Sequence, residues 1–304
     1  KKSKNSSSSS SGGGDGRITK KEMLFILNAT NARQYNDASH SCALSKCTET
    51  CKVRNRVTRE NNKFNSEVLA QIGKIEVTRL LVSCLKEKRW LNDEIINLVM
   101  HMLNTRDQME YENRLELSKS GEGNNKRLVW CCPSFLMTTM NDRGYDSVKR
   151  WSTKAKLNSN HSVFELYRLV LPVNISNSHW TSVHINFLKK DIIYYDSMGG
   201  KGNQWLRLAQ SYLKGEWERA NDTKFDVKNE WRMYSLEKTV PQQTNCYDCG
   251  MFTCTFATYE TDVCLQRRTE GKEKIGIPLD FDQNDMVYLR NRLVLDVLQN
   301  KKID

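Results

Sequence analysis

Three side chains of this 304-residue chain could together cut an acyl bond: the imidazole of His179, the carboxylate of Asp196 and the thiol of Cys249. Nucleophilic catalysis needs a base that handles the nucleophile's proton, and an acid group that orients the base and stabilises its charged form. The stretch Trp180 to Phe187 alternates in part, a short turn at Leu188–Asp191 follows, and Ile192-Ile193-Tyr194-Tyr195 resumes a strand pattern, so the segment reads as a β-hairpin. With the turn near 188–190, positions 179 and 196 fall within a rung or two of each other. Cys249 is expected to open a helix after the loop Pro241–Asp248, and both a helix N-terminus and a nearby imidazolium favour the thiolate, the reactive form. Gln243, six residues earlier, offers an amide donor for a developing oxyanion. Gly250 leaves space for a substrate backbone. The competing His184 has the opposite strand parity and no matched carboxylate.

Other uses of cysteine carry less. Ten cysteines in 304 residues lie far below disulfide-scaffold density, so reduced thiols are expected. His40, Cys42, Cys47 and Cys51 could supply four zinc donors, but their spacings match no strong ligand pattern and no zinc site is expected. Cys246 and Cys249 form a C-x-x-C without the βαβ setting of a redox motif. A protective disulfide between them under peroxide is a further possibility.

The elements that must position these groups follow from local pattern. Ile18 to Leu27 could form a short helix; Asn28 to Asn65 is polar and aperiodic. Ile72 to Val77 reads as a strand, and Thr78 as the cap of a helix through about Glu87. Asn92 caps a strong helix whose first turn carries Asp93 and Glu94, with Ile95, Ile96, Val99, Met100 and Leu103 as its apolar stripe. Leu128 to Leu136 fits a short strand and then a helix, and Val163 to Asn174 a buried strand ending at Pro172. Helices are expected over Asn203 to Leu213, Cys249 to Thr261 and Asp285 to Leu298. Helices at both ends and strands between them favour an α+β domain.

Composition bounds the rest. Apolar residues are 38% of the chain, slightly under the globular norm, which suits a folded domain with a polar tail. The net charge of +11 is uneven: residues 1–75 hold 14 Lys/Arg against 6 Asp/Glu, and the remainder 33 against 30. The division expected is a basic, low-complexity, disordered arm over 1–65 and a catalytic domain over 66–304. The balanced remainder does not read as a nucleic-acid-binding module, and no apolar run is long enough for a membrane span. The start at Lys1 reads as that of a fragment or processed product.

Four motifs then become specific together. Trp90-Leu91-Asn92-Asp93-Glu94-Ile95-Ile96-Asn97, Ser178-His179-Trp180, Tyr194-Tyr195-Asp196-Ser197-Met198-Gly199-Gly200 and Pro241-Gln242-Gln243-Thr244-Asn245-Cys246-Tyr247-Asp248-Cys249-Gly250 resemble, in order and spacing, the sentrin/SUMO-specific (ubiquitin-like-protein) cysteine proteases. The resemblance covers residues from about 66 to the end. It implies a papain-like-superfold domain, with a central mixed or antiparallel sheet flanked by helices and the nucleophile at a helix N-terminus. It implies Cys249 as nucleophile, His179 as base, Asp196 as orienting acid and Gln243 as oxyanion donor. Trp90 and Trp180 correspond to two tryptophans that roof a tunnel over a Gly-Gly tail, and Asp93 to a residue that pairs with a basic side chain on the modifier. Cys246 departs from the family pattern, where a non-thiol residue is common.

The function implied is cleavage after the C-terminal Gly-Gly of a ubiquitin-like modifier, SUMO first, in maturation and deconjugation, without metal or cofactor. SUMO or its conjugates would be the partners of a monomeric catalytic domain, in the nucleus or at its rim, with the cytoplasm as the other location. Two alternatives stand beside it. One is a protease for the neddylation modifier or a related acyltransferase; the other is a catalytically silent SUMO-binding module.

Overall fold

Along the middle of the chain, alternate residues enter two different cores, and that alternation defines the architecture. The computed structural model describes residues 18–30, 60–117, 127–157, 162–221, 231–262 and 279–299. Strands β3 (Val129–Cys131), β4 (Arg168–Ile175), β5 (His179–Asn186), β6 (Asp191–Tyr195) and β7 (Arg232–Ser235) form one sheet in the order β3-β4-β5-β6-β7. The outer pairs β3–β4 and β6–β7 are parallel, and the inner pairs β4–β5 and β5–β6 are antiparallel. Ahead of this sheet lie a helix α1 (Lys20–Thr30), a two-stranded hairpin of β1 (Val68–Ile72) and β2 (Ile75–Thr78), and a short helix α2 (Arg79–Ser83). The remaining helices are α3 (Asp93–Leu117), α4 (Leu136–Arg143), α5 (Trp151–Lys154), α6 (Asn203–Asn221), α7 (Cys249–Glu260) and α8 (Met286–Leu298).

Val170, Ile193 and Tyr195 point to one face of the sheet, into a core built with α3, α7 and α8. Leu169, Leu171, Ile192 and Tyr194 point to the other, into a core with α4 and α6. A strand buried on both faces reads as a nearly continuous apolar run, which β4 and β6 show. The fold is thus a central mixed sheet flanked by helices, as expected. Helix α7 is buried on nearly all sides, which its weakly amphipathic sequence allows.

Several local expectations shift. The segment 72–77 is not one strand: Gly73, at φ +58°, turns the chain so that Ile72 pairs with Ile75. Thr78 does cap the following helix, its Oγ1 accepting from Leu81 N at 3.2 Å, but that helix stops at Ser83. β4 runs through Pro172, because β3 pairs with it only up to Val170, so the missing proline N–H removes no bond to β3. Residues Val163–Glu165, expected at the strand's start, form a single 3-10 turn. Helix α6 continues well beyond Leu213, to Asn221.

The helix expected near 18–27 is α1, and it is not part of a free arm. Ile26 and Ala29 are buried in the same core as α3 and α8, with α1 against α2 and α8. The boundary expected at 65/66 therefore leaves α1 on the wrong side, because a handful of apolar side chains anchor it to the domain. The His40, Cys42, Cys47 and Cys51 set lies outside the described residues.

Candidate active site

His179 opens β5 and owes its position to the turn before it. Ser176 and Asn177 both have positive φ (52° and 54°), and Ser178 N donates to Ile175 O at 3.0 Å. That is a tight turn with both central residues in the left-handed region, and it sets Ile175 opposite His179. Across the sheet, Ser182 pairs with Tyr195. Continuing that register puts Asp196 opposite Thr181, two residues from His179 and on the same face. The expected proximity holds: His179 Nε2 donates to Asp196 Oδ1 at 2.8 Å.

Cys249, 4% exposed, is the first residue of α7. Cys249 acts on the His179 ring together with Asp196, and with Nε2 on the carboxylate, Nδ1 is the ring nitrogen left for the sulfur. Burial works against the charged imidazole. The hydrogen bonds and charges of Asp196 and Cys249 outweigh it and push His179 up to about 9. His184 behaves in the opposite way. It is fully buried on the other face of β5, its Nε2 is 2.8 Å from Ser182 Oγ, and burial pushes it down to about 4. The carboxylate nearest it in effect is Glu260, which is itself paired with Arg168 at 2.9 Å.

The carboxylate of Asp196 is held on all sides. Oδ1 also accepts from Met198 N at 2.7 Å, while Oδ2 accepts from Gly200 N at 3.1 Å and Tyr194 Oη at 3.4 Å. Burial disfavours its ionisation, yet His179 and the two amides keep it below the usual carboxylate range. Gly200 is obligatory here, since a Cβ would lie 2.5 Å from Asp196 Oδ2. Tyr194 carries no signal of its own as a site residue in the sequence, although strand parity places residue 194 on the same face as 196.

A cleft of about 290 Å³ leads to the sulfur. Trp90, Leu91, Asn92 and Asp93 form one wall, and Asn174, Asn177, Ser178 and Trp180 the other, with Cys249 between. Trp180 is buried and its Nε1 donates to Leu91 O at 2.9 Å, tying the walls together, whereas Trp90 is 52% exposed at the mouth. Asn92 caps α3 as expected, its Oδ1 accepting from Ile95 N at 3.0 Å, which sets Asp93 at the cleft. A second, larger polar cleft of about 680 Å³ shares Asp93, Asn174, Asn177 and Trp180 with the first and is also lined by Phe135 and Trp205.

Gln243 is not among the side chains lining the cleft at Cys249. Its Oε1 accepts from Ser197 Oγ at 2.6 Å and its Nε2 donates to Asn245 O, so the side chain braces the loop with one of its two amide hydrogens. One expectation, that on Gly250, needs correction. Gly250 makes room for protein, not for substrate: a Cβ there would meet Leu91 Cβ at 2.8 Å. The glycine lets the Trp90-Leu91 segment approach the helix that Cys249 opens.

A thiol at a helix start, interacting with an imidazole that is hydrogen-bonded to a carboxylate, is the arrangement of the cysteine-protease class. The profile of the "Ulp1 protease family, C-terminal catalytic domain" matches residues 89–300, and the chain belongs to that family. Mouse sentrin-specific protease 2 is 30% identical over 236 residues, which are 77% of this chain and 34% of the mouse protein. The Arabidopsis thaliana ubiquitin-like-specific protease ESD4 is 29% identical over 227 residues, covering 74% of this chain and 40% of ESD4. The chain thus spans about a third of the length of the first of these curated relatives. Among solved structures, the C-terminal Ulp1 protease domain in complex with Smt3, the yeast ortholog of SUMO, superposes with a TM-score of 0.63 at 22% identity. That likeness covers 93% of this chain and 96% of the other, and it shows the fold.

Proposed function

We propose that this chain is a thiol isopeptidase and endopeptidase that cleaves after the C-terminal Gly-Gly of a ubiquitin-like modifier, SUMO in the first place. One observation carries the reading: Cys249, beside a His179 that is hydrogen-bonded to Asp196, lies in a narrow cleft bounded by two indoles. Flat indoles can close over unsubstituted glycine but not over a side chain, so the cleft selects a Gly-Gly tail by steric exclusion. The names of the relatives and the Smt3 complex of the yeast enzyme support SUMO as the modifier.

In this mechanism the Cys249 thiolate attacks the carbonyl carbon of the last glycine. The backbone N–H of Cys249, free at the helix start, and the second amide hydrogen of Gln243 receive the oxyanion. The imidazolium of His179 protonates the leaving amine, which is the lysine ε-amine in deconjugation. The neutral imidazole then takes a proton from water as the water attacks the thioester, releasing the free glycine carboxylate and the thiol. Asp93, at the junction of the two clefts, suits a basic side chain of the modifier. The catalytic body, residues 66–304 with α1 packed against it, acts as a monomer in this reading. Its location is the nucleus or nuclear rim, in keeping with the basic front of the chain. Among the described residues, no helix is long and apolar enough to cross a membrane.

The experiment is a panel of Gly-Gly-tailed modifiers with C-terminal propargyl or vinyl-sulfone traps. Cys249 should be labelled by the SUMO trap, and Cys249→Ser should abolish cleavage of a SUMO–lysine isopeptide while retaining SUMO binding. Labelling by the neddylation modifier's trap alone would reassign the substrate, and unchanged turnover in Cys249→Ser would remove the mechanism.

A further inference from the structure

Arg290, on α8, is 1% exposed and far in sequence from every catalytic group, yet its guanidinium lies between the nucleophile loop and the Trp90 wall. On one side, Nε and Nη2 donate to Asp248 Oδ1 at 2.9 and 2.7 Å, and Nη2 also to Tyr247 O at 3.1 Å. Asp248 immediately precedes Cys249. On the other side, Nη2 donates to Arg89 O at 2.8 Å, and Nη1 to Cys84 O and Lys86 O at 3.3 and 3.2 Å. Arg89 immediately precedes Trp90. Every nitrogen of the fork is engaged, and the acceptors belong to two segments that share no strand pairing.

A buried ion pair is weak as a source of stability, because desolvation consumes most of its Coulomb gain, and its better-attested use is to specify geometry. Here that geometry has a chemical meaning. The 84–91 segment carries one wall of the cleft, and its loop carbonyls have no ladder to bond to. Leu91 is also pressed against Gly250, at the first turn of the nucleophile's helix. Asp248 is fixed from further directions: Oδ2 accepts from Asn245 Nδ2 at 2.7 Å and from Gln283 Nε2 at 2.8 Å. One planar cation thus bonds both the residue before Trp90 and the residue before Cys249.

We propose that Arg290 is a positioning residue that sets the gap between Trp90 and Cys249, and so determines how strictly the enzyme selects a Gly-Gly tail. The inference rests on the function proposed above. A lysine at 290 would keep the charge and reach Asp248, but its three donors radiate from one point and cannot span carbonyls on both segments.

The test is Arg290→Lys, alone and combined with Trp90→Ala, assayed on SUMO ending in Gly-Gly with a C-terminal coumarin amide, with iodoacetamide as a second probe of Cys249. Iodoacetamide needs no roof. Arg290→Lys should lower kcat/KM by about 10- to 100-fold while leaving the iodoacetamide rate within about 3-fold. Trp90→Ala should cost far less in the lysine background than in the parent, because coupled residues are non-additive. Fully multiplicative losses, an unchanged kcat/KM, or an equal fall in the iodoacetamide rate would each overturn the proposal. Should Arg290→Lys fail to fold, hydrogen–deuterium exchange of the unaltered protein decides the matter. Residues 84–91 and 245–249 should open together, and roof exchange more than about 100-fold faster than that of the nucleophile loop would overturn it. Failure of the parent to cleave any Gly-Gly tail is a separate result, which strikes the proposed function.

Discussion

Replacing Asp196 by asparagine changes the charge of the site with almost no change in shape. Four donors converge on the carboxylate: His179 Nε2, Met198 N, Gly200 N and Tyr194 Oη. An amide accepts at only one of its two ends. With its oxygen toward His179, its NH2 group confronts the Gly200 N–H. Turned the other way, it confronts Met198 N–H and forces the imidazole into the tautomer whose proton points at Cys249. His179 is pushed up to about 9, against its burial, by Asp196 and Cys249. Loss of one adjacent full charge lowers such a group by about 1–3 units. At about pH 8 the imidazolium fraction then falls from about nine-tenths to between about one half and about one hundredth. With the tautomer error added, kcat/KM on the SUMO coumarin amide is expected to fall by about 10²- to 10⁴-fold.

The pH profile gives the sharper readout. In the proposed mechanism acylation needs the charged imidazole to protonate the leaving amine, so activity of the parent is expected to be lost as pH rises through about 9. In Asp196→Asn that alkaline limb moves to lower pH. A variant within about 5-fold of the parent, with an unmoved alkaline limb, would refute this account of the carboxylate.

Gly200→Ala places a Cβ 2.5 Å from Asp196 Oδ2 and must displace the carboxylate or the loop. kcat/KM should drop by about 100-fold with little change in Tm, and normal turnover in a folded variant would show that this close approach is dispensable. Glu260→Gln removes the charge that pairs with buried Arg168 and accepts from Tyr195 Oη, and should cost about 3–5 kcal/mol by urea unfolding. Burial disfavours the Glu260 carboxylate, but Arg168 holds it below its ordinary value. Its contribution is therefore present above the usual carboxylate range and is lost as pH falls through the lowered value, so the parent and Glu260→Gln unfolding midpoints should converge in acid. Equal midpoints at neutral pH would contradict this.

Much of the site is legible in local pattern. Strand parity places Tyr194 and Asp196 on one face and His184 on the other side from His179, and the hairpin turn brings residues 179 and 196 together. Asn92 before an apolar stripe marks the start of α3, and the loop before Cys249 marks a helix whose first turn is free of backbone partners. These are short-range facts, governed by side-chain period and capping chemistry within a few residues.

What the chain could not announce is which distant segments meet. Arg290 bonds carbonyls about 200 positions away, and a carbonyl acceptor looks the same whatever residue bears it, so its partners leave no trace in residue types. Gly250 beside the proposed nucleophile suggests room for substrate, until Leu91 is found occupying that space. Pro172 suggests a strand end, until the neighbouring strand proves too short to need its missing N–H. Residue types and spacing determined which groups could react and on which face each would stand. Only the packed structure decided the walls and floor of the cleft, because burial and close approach belong to pairs of segments that fold together, not to either segment alone.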